Sequence, residues 1–254
     1  MCKDFKFLLI TPSYKRPYML RACIQNALNQ TYTNFYHSIV INQDADQLYN
    51  YKLLYDDLIP APKNIFPGME TPPSPEQYII SYKTNEDQHV NYIAAIAQAK
   101  ANKQLYDSID YIVKWDDDEI MRSQYLSGIN DFINMHPGYN IYSTKVSSQV
   151  NNYHFNTGQA FSNLGGVPDF IGMPATLVFD KKAAEMILPI TPGSDGYQEF
   201  RGRGFEDTAW INYWNEKGLK FKLNETPNDE YIWHVHGGKV AGEGNISISN
   251  WVRD

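Results

Sequence analysis

The feature that most constrains this chain is a short apolar run that ends in four consecutive acids, Tyr111-Ile-Val-Lys-Trp-Asp116-Asp-Asp-Glu119. Its β-branched residues predict a buried strand. In an open α/β sheet, ligands bind beyond the carboxyl ends of the strands. Carboxylates that gather there repel one another unless a positive group lies between them. A hard divalent cation, Mg²⁺ or Mn²⁺, is the simplest such group, because it takes carboxylate and phosphate oxygens as ligands.

Strand geometry predicts how these acids are arranged. Neighbouring side chains on a strand point to opposite faces, so we expect Asp116 and Asp118 to share one side while Asp117 turns away. This gives an Asp-x-Asp pair directed at one site. Trp115 faces away from Asp116, and we expect it to pack in the core. The alternative for the run alone is a solvated acidic turn after a strand.

The order of elements predicts an α/β fold. A strand at 5–10, the loop Thr11-Pro-Ser-Tyr-Lys-Arg-Pro17, a helix at 18–30 and a strand at 37–41 closed by Asn42-Gln-Asp44 form a βαβ unit, and hence a parallel sheet. Along the rest of the chain we predict strands at 77–82, 109–115, 140–146, 219–223 and 231–235. We predict helices at 47–58, 91–105, 123–135 and 205–217, and a further helix that is capped by Asp180 and runs to Leu188. The stretches 60–75, 147–168 and 191–204 are predicted to be irregular.

Length and composition narrow the class of protein. The 254 residues suit one domain with a sizeable core, and the net charge of -7 argues against a nucleic-acid partner. The two cysteines, Cys2 and Cys23, imply no disulfide framework, so we expect a cytoplasmic location. The start of the chain is too short and charged for a signal peptide, and no stretch has the length of a transmembrane span.

Further candidates for chemistry lie late in the chain. Glu206 and Asp207 stand at the head of a predicted helix, where a carboxylate beside an open cleft can act as a general base; acids there also cap helices and favour the helix dipole. His234 and His236 share one face of a predicted strand and are candidate metal ligands, although a core histidine bonded to backbone is the alternative. Cations in glycine-containing loops could clamp a diphosphate or be solvated: Arg201, Arg203 and Lys239.

Taken in order, these motifs resemble those of GT-A-fold glycosyltransferases, in the large family-2-like inverting group that includes bacterial polysaccharide and galactofuranosyl transferases. The motifs are Thr11-Pro-Ser-Tyr-Lys-Arg-Pro17 after the first strand, Leu28-Asn-Gln-Thr-Tyr32 after the first helix, the triple Asp, Gly204-Phe-Glu206-Asp207, and Trp233-His234-Val-His236-Gly237. The resemblance spans nearly the whole chain. It implies a single Rossmann-like domain, 1–254, with a mixed, mostly parallel sheet flanked by helices.

The resemblance also implies a reaction and a set of roles. A sugar would move from a nucleotide donor, for which we expect a UDP-sugar, to a glycan or lipid-linked acceptor with inversion. Residues 1–120 would form the nucleotide-sugar half, and 121–254 the acceptor-binding and catalytic half. Asp207 would be the base and Glu206 would orient sugar or acceptor, while Asp118 with His234, or else His236, would hold Mn²⁺ or Mg²⁺. The donor would be bound by Thr11, Ser13, Tyr14, Arg16, Asp44, Asp116 and Asp117.

Two other functions stay open. A sugar nucleotidyltransferase shares the α/β class but usually carries a glycine-rich basic loop after the first strand, and residues 11–17 contain no glycine. A non-catalytic carbohydrate-binding protein on the same fold has the high aromatic content of the chain as its support. A lipid-linked acceptor would be reached by peripheral contact with the inner face of the membrane, or through a partner.

Overall fold

The computed structural model describes residues 2–14, 17–43, 78–84, 87–117, 119–121, 123–151, 154–156, 177–202 and 206–235. The strands are β1 Phe7–Tyr14, β2 Phe35–Gln43, β3 Tyr78–Thr84, β4 Tyr111–Lys114, β5 Ile120–Met121, β6 Ile141–Asn151, β7 His154–Asn156, β8 Val178–Asp180 and β9 Phe221–Val235. The helices are α1 Pro17–Leu28, α2 Gln88–Ala101, α3 Lys103–Ser108, α4 Tyr125–Met135, α5 Lys181–Ile187, α6 Tyr197–Arg201 and α7 Glu206–Glu216.

These strands form one mixed sheet in the order β3-β2-β1-β4-β8-β6-β9-β5, with β7 paired to β6. The pairs from β3 through β2 and β1 to β4 are all parallel. Strand β8 is antiparallel to both β4 and β6, β9 is parallel to β6, and β5 is antiparallel to β9. The predicted α/β fold with a mixed sheet flanked by helices is confirmed, and its parallel half is the half that carries the acidic run.

Period-2 alternation along β1 supplies both faces of the sheet with apolar groups. Leu8 and Ile10 pack against α2, α5 and α7 in one cluster, whereas Phe7 and Leu9 pack against α1 and α4 in another. Trp115 is fully buried in the second cluster, which confirms its predicted core position. The acidic run therefore leaves the sheet between two layers of helices.

Strand β1 is longer than predicted. It continues through Pro12 to Tyr14, where we expected a loop from Thr11. Its last pair with β4 is Ile10 with Lys114, so Pro12 lies beyond the end of that neighbour while it still pairs with β2. A proline is tolerated where its missing N–H leaves no sheet hydrogen bond unmade.

Other boundaries also differ from the prediction. The helix expected at 91–105 is divided at Asn102, whose side chain caps α3 by accepting from the N–H of Leu105. The stretch 191–204 contains the short helix α6, and the two strands expected between 219 and 235 are one strand, β9. The predicted helix 47–58 and the proline-rich stretch 60–75 lie outside the described residues.

Two predicted helix boundaries are confirmed: the start of the helix capped by Asp180 and the end of the helix predicted at 205–217. Asp180 caps α5 by accepting from the N–H of Ala183. Gly218 adopts a φ of +73° just after α7, a left-handed conformation that glycine takes without strain.

Of the helices that the structure describes, none combines the length and apolarity that crossing a membrane requires.

Candidate functional site

The carboxyl ends of the parallel strands meet at one edge of the sheet. Because Ile10 pairs with Lys114, the end of β1 from Thr11 to Tyr14 lies beside the start of the acidic run. The first turn of α7 lies at the same edge, since Asp207 is near Lys114. The fold thus brings together three motifs that are far apart in sequence.

The acids follow β4 in a turn. The strand ends at Lys114, and the N–H of Glu119 donates to the carbonyl of Asp116 at 3.3 Å. The strand therefore does not continue through the acids as we predicted, and whether Asp116 and Asp118 share one side stays a prediction. Asp117 and Glu119 are both 5% exposed, whereas Asp118 lies outside the described residues.

Asp116 is held by two groups that the sequence did not single out. The Nζ of Lys114 is 2.5 Å from Oδ2 of Asp116, and the hydroxyl of Tyr92 in α2 donates to Oδ1. The same ammonium lies 5.1 Å from the centroid of the Tyr92 ring. Part of the charge compensation that we expected from a cation is therefore supplied by a lysine of the chain itself.

The two carboxylate oxygens of Asp207 make different contacts, one within α7 and one at the sheet edge. Its Oδ1 accepts from the N–H of Thr208 at 2.7 Å, and its Oδ2 lies 3.8 Å from Nζ of Lys114. Its side chain is 19% exposed. One carboxylate oxygen thus favours the start of α7, while the other is at the sheet edge. Of Glu206 the structure describes only the backbone.

A buried hydrogen-bond chain fixes the residue before the acids. The hydroxyl of Thr11 donates to the carbonyl of Trp115 at 2.5 Å, so it accepts from Nε2 of His37, 2.8 Å away. His37 is then the neutral Nε2–H tautomer, and burial lowers its pKa to about 3. Thr11 is fully buried and its hydroxyl fixes the position of Trp115, and ligand contact by Thr11 stays a prediction.

The structure describes only some of the other residues that we predicted to bind the nucleotide-sugar donor. Ser13 is 2% exposed, and its hydroxyl makes no hydrogen bond within the described part of the chain. Tyr14 is partly exposed at the last position of β1, where it pairs with Asn42. Arg16 and Asp44 lie outside the described residues. Ser13 and Tyr14 are therefore at the sheet edge, and ligand contact by them stays a prediction.

The Leu28–Tyr32 motif anchors the chain that follows the acids. Gln30 accepts from the N–H of Leu126 at 3.0 Å and donates to the carbonyl of Met121 at 3.3 Å. The N–H of Thr31 donates to the carbonyl of Ser123 at 2.8 Å. The end of α1 thereby fixes β5 and the start of α4. We predicted this motif from resemblance and missed its structural task.

Strand pairing bears on the predicted metal ligands. Ile120, two residues after Asp118, pairs with Ile232, two residues before His234. Of His234 the structure describes the backbone, which pairs with Val150 of β6, and His236 lies outside the described residues. Among the described side chains, no three His, Cys, Asp or Glu groups converge as a metal site. Metal binding by Asp118 with His234 or His236 therefore stays a prediction.

Of the three cations that we named as candidates to clamp a diphosphate, the structure describes only Arg201. Arg201, at the end of α6, forms an ion pair with Asp87, whose Oδ2 is 2.9 Å from its Nη1. Asp87 also caps α2 by accepting from the N–H of His89. Arg201 thus connects α6 to the start of α2. Arg203 and Lys239 lie outside the described residues.

The acidic turn also affects the pKa of a buried tyrosine, Tyr125. Tyr125, at the start of α4, is fully buried. Burial, together with the charges of Glu119 and Asp116, raises its pKa far above the ordinary value. The Tyr125 hydroxyl therefore stays protonated behind the acidic turn.

Solved structures share this fold. The crystal structure of S. aureus TarS 1-349 superposes with a TM-score of 0.55 at 13% identity, covering 91% of this chain and 60% of that one. The same TarS fragment in complex with UDP-GlcNAc gives a TM-score of 0.56 at 13% identity, with 92% and 60% covered. The complex with UDP gives 0.54 at 14% identity, with 91% and 61% covered.

These likenesses establish the fold. TarS is a staphylococcal glycosyltransferase, and this chain spans about 60% of the length of its 1-349 fragment. No protein-family model matches the sequence, and no curated protein matches it. The chain therefore shares its α/β fold with these TarS structures, and its acidic turn and the start of α7 lie at the carboxyl edge of its sheet.

Proposed function

We propose that this chain is a metal-dependent glycosyltransferase that moves a sugar from a UDP-sugar to a glycan or lipid-linked acceptor, with inversion. The observation that carries the proposal is the meeting of Asp116 and Asp207 around Lys114 at the carboxyl edge of the sheet. The fold is shared with TarS structures in complex with UDP and UDP-GlcNAc. In α/β sheets this edge is where ligands bind.

The reaction is a single displacement at the anomeric carbon. The acceptor oxygen forms its bond to that carbon as the bond to the diphosphate breaks, and the electron pair leaves with UDP. Asp207 takes the proton of the acceptor hydroxyl, for which its partly exposed carboxylate at the sheet edge is suited. Glu206, its neighbour in the first turn of α7, orients the sugar or the acceptor.

Residues of the parallel half hold the donor. Ser13 and Tyr14 are the last two residues of β1 and Asp116 and Asp117 follow β4 at the same edge, while Arg16 and Asp44 come shortly after β1 and β2 in the sequence. Both oxygens of Asp116 already accept hydrogen bonds, from Lys114 and Tyr92. Asp116 is therefore suited to fix a ribose hydroxyl or a metal-bound water, and less suited to direct ligation of a metal.

The ion would be Mn²⁺ or Mg²⁺, for which a carboxylate is a suitable ligand, and Asp118 with His234, or else His236, would hold it. The pairing of Ile120 with Ile232 supports this choice, because each partner is two residues from one of the first two ligands. When bound, the ion would act as a Lewis acid that stabilises the charge of the leaving diphosphate.

Release of UDP from UDP-sugars tests the proposal. With Mn²⁺ we expect the wild type to release UDP from at least one UDP-sugar, and Asp207→Asn to be slower by about 10²–10⁴-fold, the range for loss of a general base. An exposed acid on α4, Asp131, is the matched control, and Asp131→Asn should keep the wild-type rate. Equal rates for Asp207→Asn and the wild type would contradict the assignment.

The same assay separates the alternatives. Pyrophosphate release from UTP and a sugar phosphate, without UDP release, would favour a nucleotidyltransferase. Glycan binding without binding of any nucleoside diphosphate would favour a non-catalytic carbohydrate-binding protein. Full UDP release in excess EDTA would contradict the metal dependence.

A further inference from the structure

We propose that Lys114 is a positioning residue of this site, which holds the carboxylates of Asp116 and Asp207 on one ammonium group and so fixes the base relative to the donor-binding turn. The inference rests on the proposed function, and it adds a residue that the sequence motifs do not contain. Lys114 belongs to β4 and Asp207 to α7, so their contact joins the two halves of the site.

Strand alternation sets the direction of this lysine. Ile112 packs in the cluster that includes α2 and α7, and Lys114, two positions later, points to the same face. Its side chain is only 2% exposed, with Nζ 2.5 Å from Oδ2 of Asp116 and 3.8 Å from Oδ2 of Asp207. The ammonium is therefore enclosed between the acidic turn and the first turn of α7.

Stability alone does not account for a charge at this position. Burying an ammonium group is unfavourable unless it is paired, and buried ion pairs can often be replaced by apolar residues without loss of stability. By contrast, the other described lysine–acid pairs are on the surface, as with Lys100 and Glu185, each 45% exposed. A buried lysine shared by two acids is explained when both acids have to be held at one site.

The geometry assigns Lys114 a specific task. Two carboxylates approaching each other at the sheet edge repel, and one ammonium between them makes the approach favourable. Lys114 lies closer to Asp116 than to Asp207. The contact thus ties the base to a turn that Tyr92 holds from a third element, α2. Without the ammonium, Asp207 would turn away from the acceptor side of the donor.

A double-mutant cycle in the UDP-release assay tests this task. We expect Lys114→Met to lower kcat by about 30-fold or more, with the donor KM within about threefold of wild type. In the Asp207→Asn background the same substitution should lower kcat by no more than about threefold, because the residue through which Lys114 acts is already disabled. Lys114→Arg, which retains the charge, should recover part of the rate.

The controls separate positioning from general damage. Lys100→Met removes an exposed lysine and should leave kcat unchanged. Each variant is checked by circular dichroism and thermal unfolding, and if Lys114→Met does not fold, Lys114→Gln takes its place in the cycle with the same expectation. A folded Lys114 variant with kcat within twofold of wild type would overturn the inference. So would an equal loss in both backgrounds, which is the result of a merely structural role.

Failure of the inference is distinguishable from failure of the proposed function. If the wild type releases UDP and the cycle shows independent effects, only the role of Lys114 is overturned. If the wild type neither binds a nucleoside diphosphate nor releases UDP, the glycosyltransferase proposal fails, and the inference that rests on it fails with it.

Discussion

At the scale of single residues, buried polar groups explain the shape of the sheet edge. Thr11 is bonded to His37 and to the carbonyl of Trp115, and these contacts cross from β2 through β1 to the end of β4. A hydroxyl that both donates and accepts is needed at the centre of this chain. The acidic turn thus begins from a position fixed by three strands.

Burial of His37 makes stability depend on pH. Its folded pKa of about 3 lies below the ordinary value of 6.5, so the unfolded chain binds a proton that the folded chain does not as pH falls below about 6.5. Stability from this histidine is present above that pH and is lost on acidification. Between about pH 7 and about pH 5.5 we expect His37 to account for a loss of about 1 kcal/mol in the free energy of unfolding.

Urea unfolding at the two pH values measures this loss. His37→Gln lacks the titrating group, so its stability should change less between them than that of the wild type. His136→Gln is the matched control, because His136 is a partly exposed histidine at the end of α4. If the His37 variant and the wild type lost equal stability, the buried neutral histidine would not be the cause.

At the scale of elements, capping residues set where helices begin. Asp180 accepts from the N–H of Ala183 at 2.9 Å and also from Asn140 at 2.7 Å, which fixes the junction of β8 and α5. We expect Asp180→Ala to lower the free energy of unfolding by about 1–2 kcal/mol, since both bonds are lost.

Chemical denaturation checks the effect of the cap. Asp180→Asn keeps an oxygen that can accept from Ala183, so it should cost less than the alanine variant. Exposed Asp131→Ala reports the effect of removing an acid that makes no cap. An Asp180→Ala variant as stable as Asp131→Ala would contradict the capping role.

Prediction from sequence succeeded where local signals were strong. The βαβ unit, the strand before the acids, the Asp180 cap and the Gly218 helix end all follow from apolar periodicity and turn residues. Strand β9 was divided in the prediction because 224–230 is polar and contains Pro227. The structure keeps one strand there by register shifts against β6 between Thr144 and Ser148, and such bulges leave little trace in the sequence.

The site could be predicted only in part, and the reason differs from that for β9. Acids after a strand are visible in sequence, but the partner of a charge depends on tertiary contact. Lys114 stands inside an apolar run and so does not stand out as a site residue. Its spacing of two from Ile112 is the available signal, since period-2 spacing in a strand places both side chains on the face that packs against α2 and α7.

At the scale of the whole molecule, we propose that the carboxyl edge of this sheet binds a nucleoside diphosphate together with a metal ion. In an open α/β sheet, that edge is the expected ligand site. The described part already gathers β1, the acidic turn and α7 there. The register of β5 with β9 brings the strand that carries His234 toward the same turn.

Thermal unfolding with UDP, with and without Mn²⁺, tests this claim most directly. A ligand at about 100 times its Kd stabilises the fold by about 2.7 kcal/mol, so we expect UDP with Mn²⁺ to raise the Tm by about 5–10 °C. UDP with EDTA should have little effect, and Asp118→Ala should lose the metal-dependent part. An equal rise in EDTA would contradict the role of the metal, and no rise with any nucleoside diphosphate would contradict the site itself.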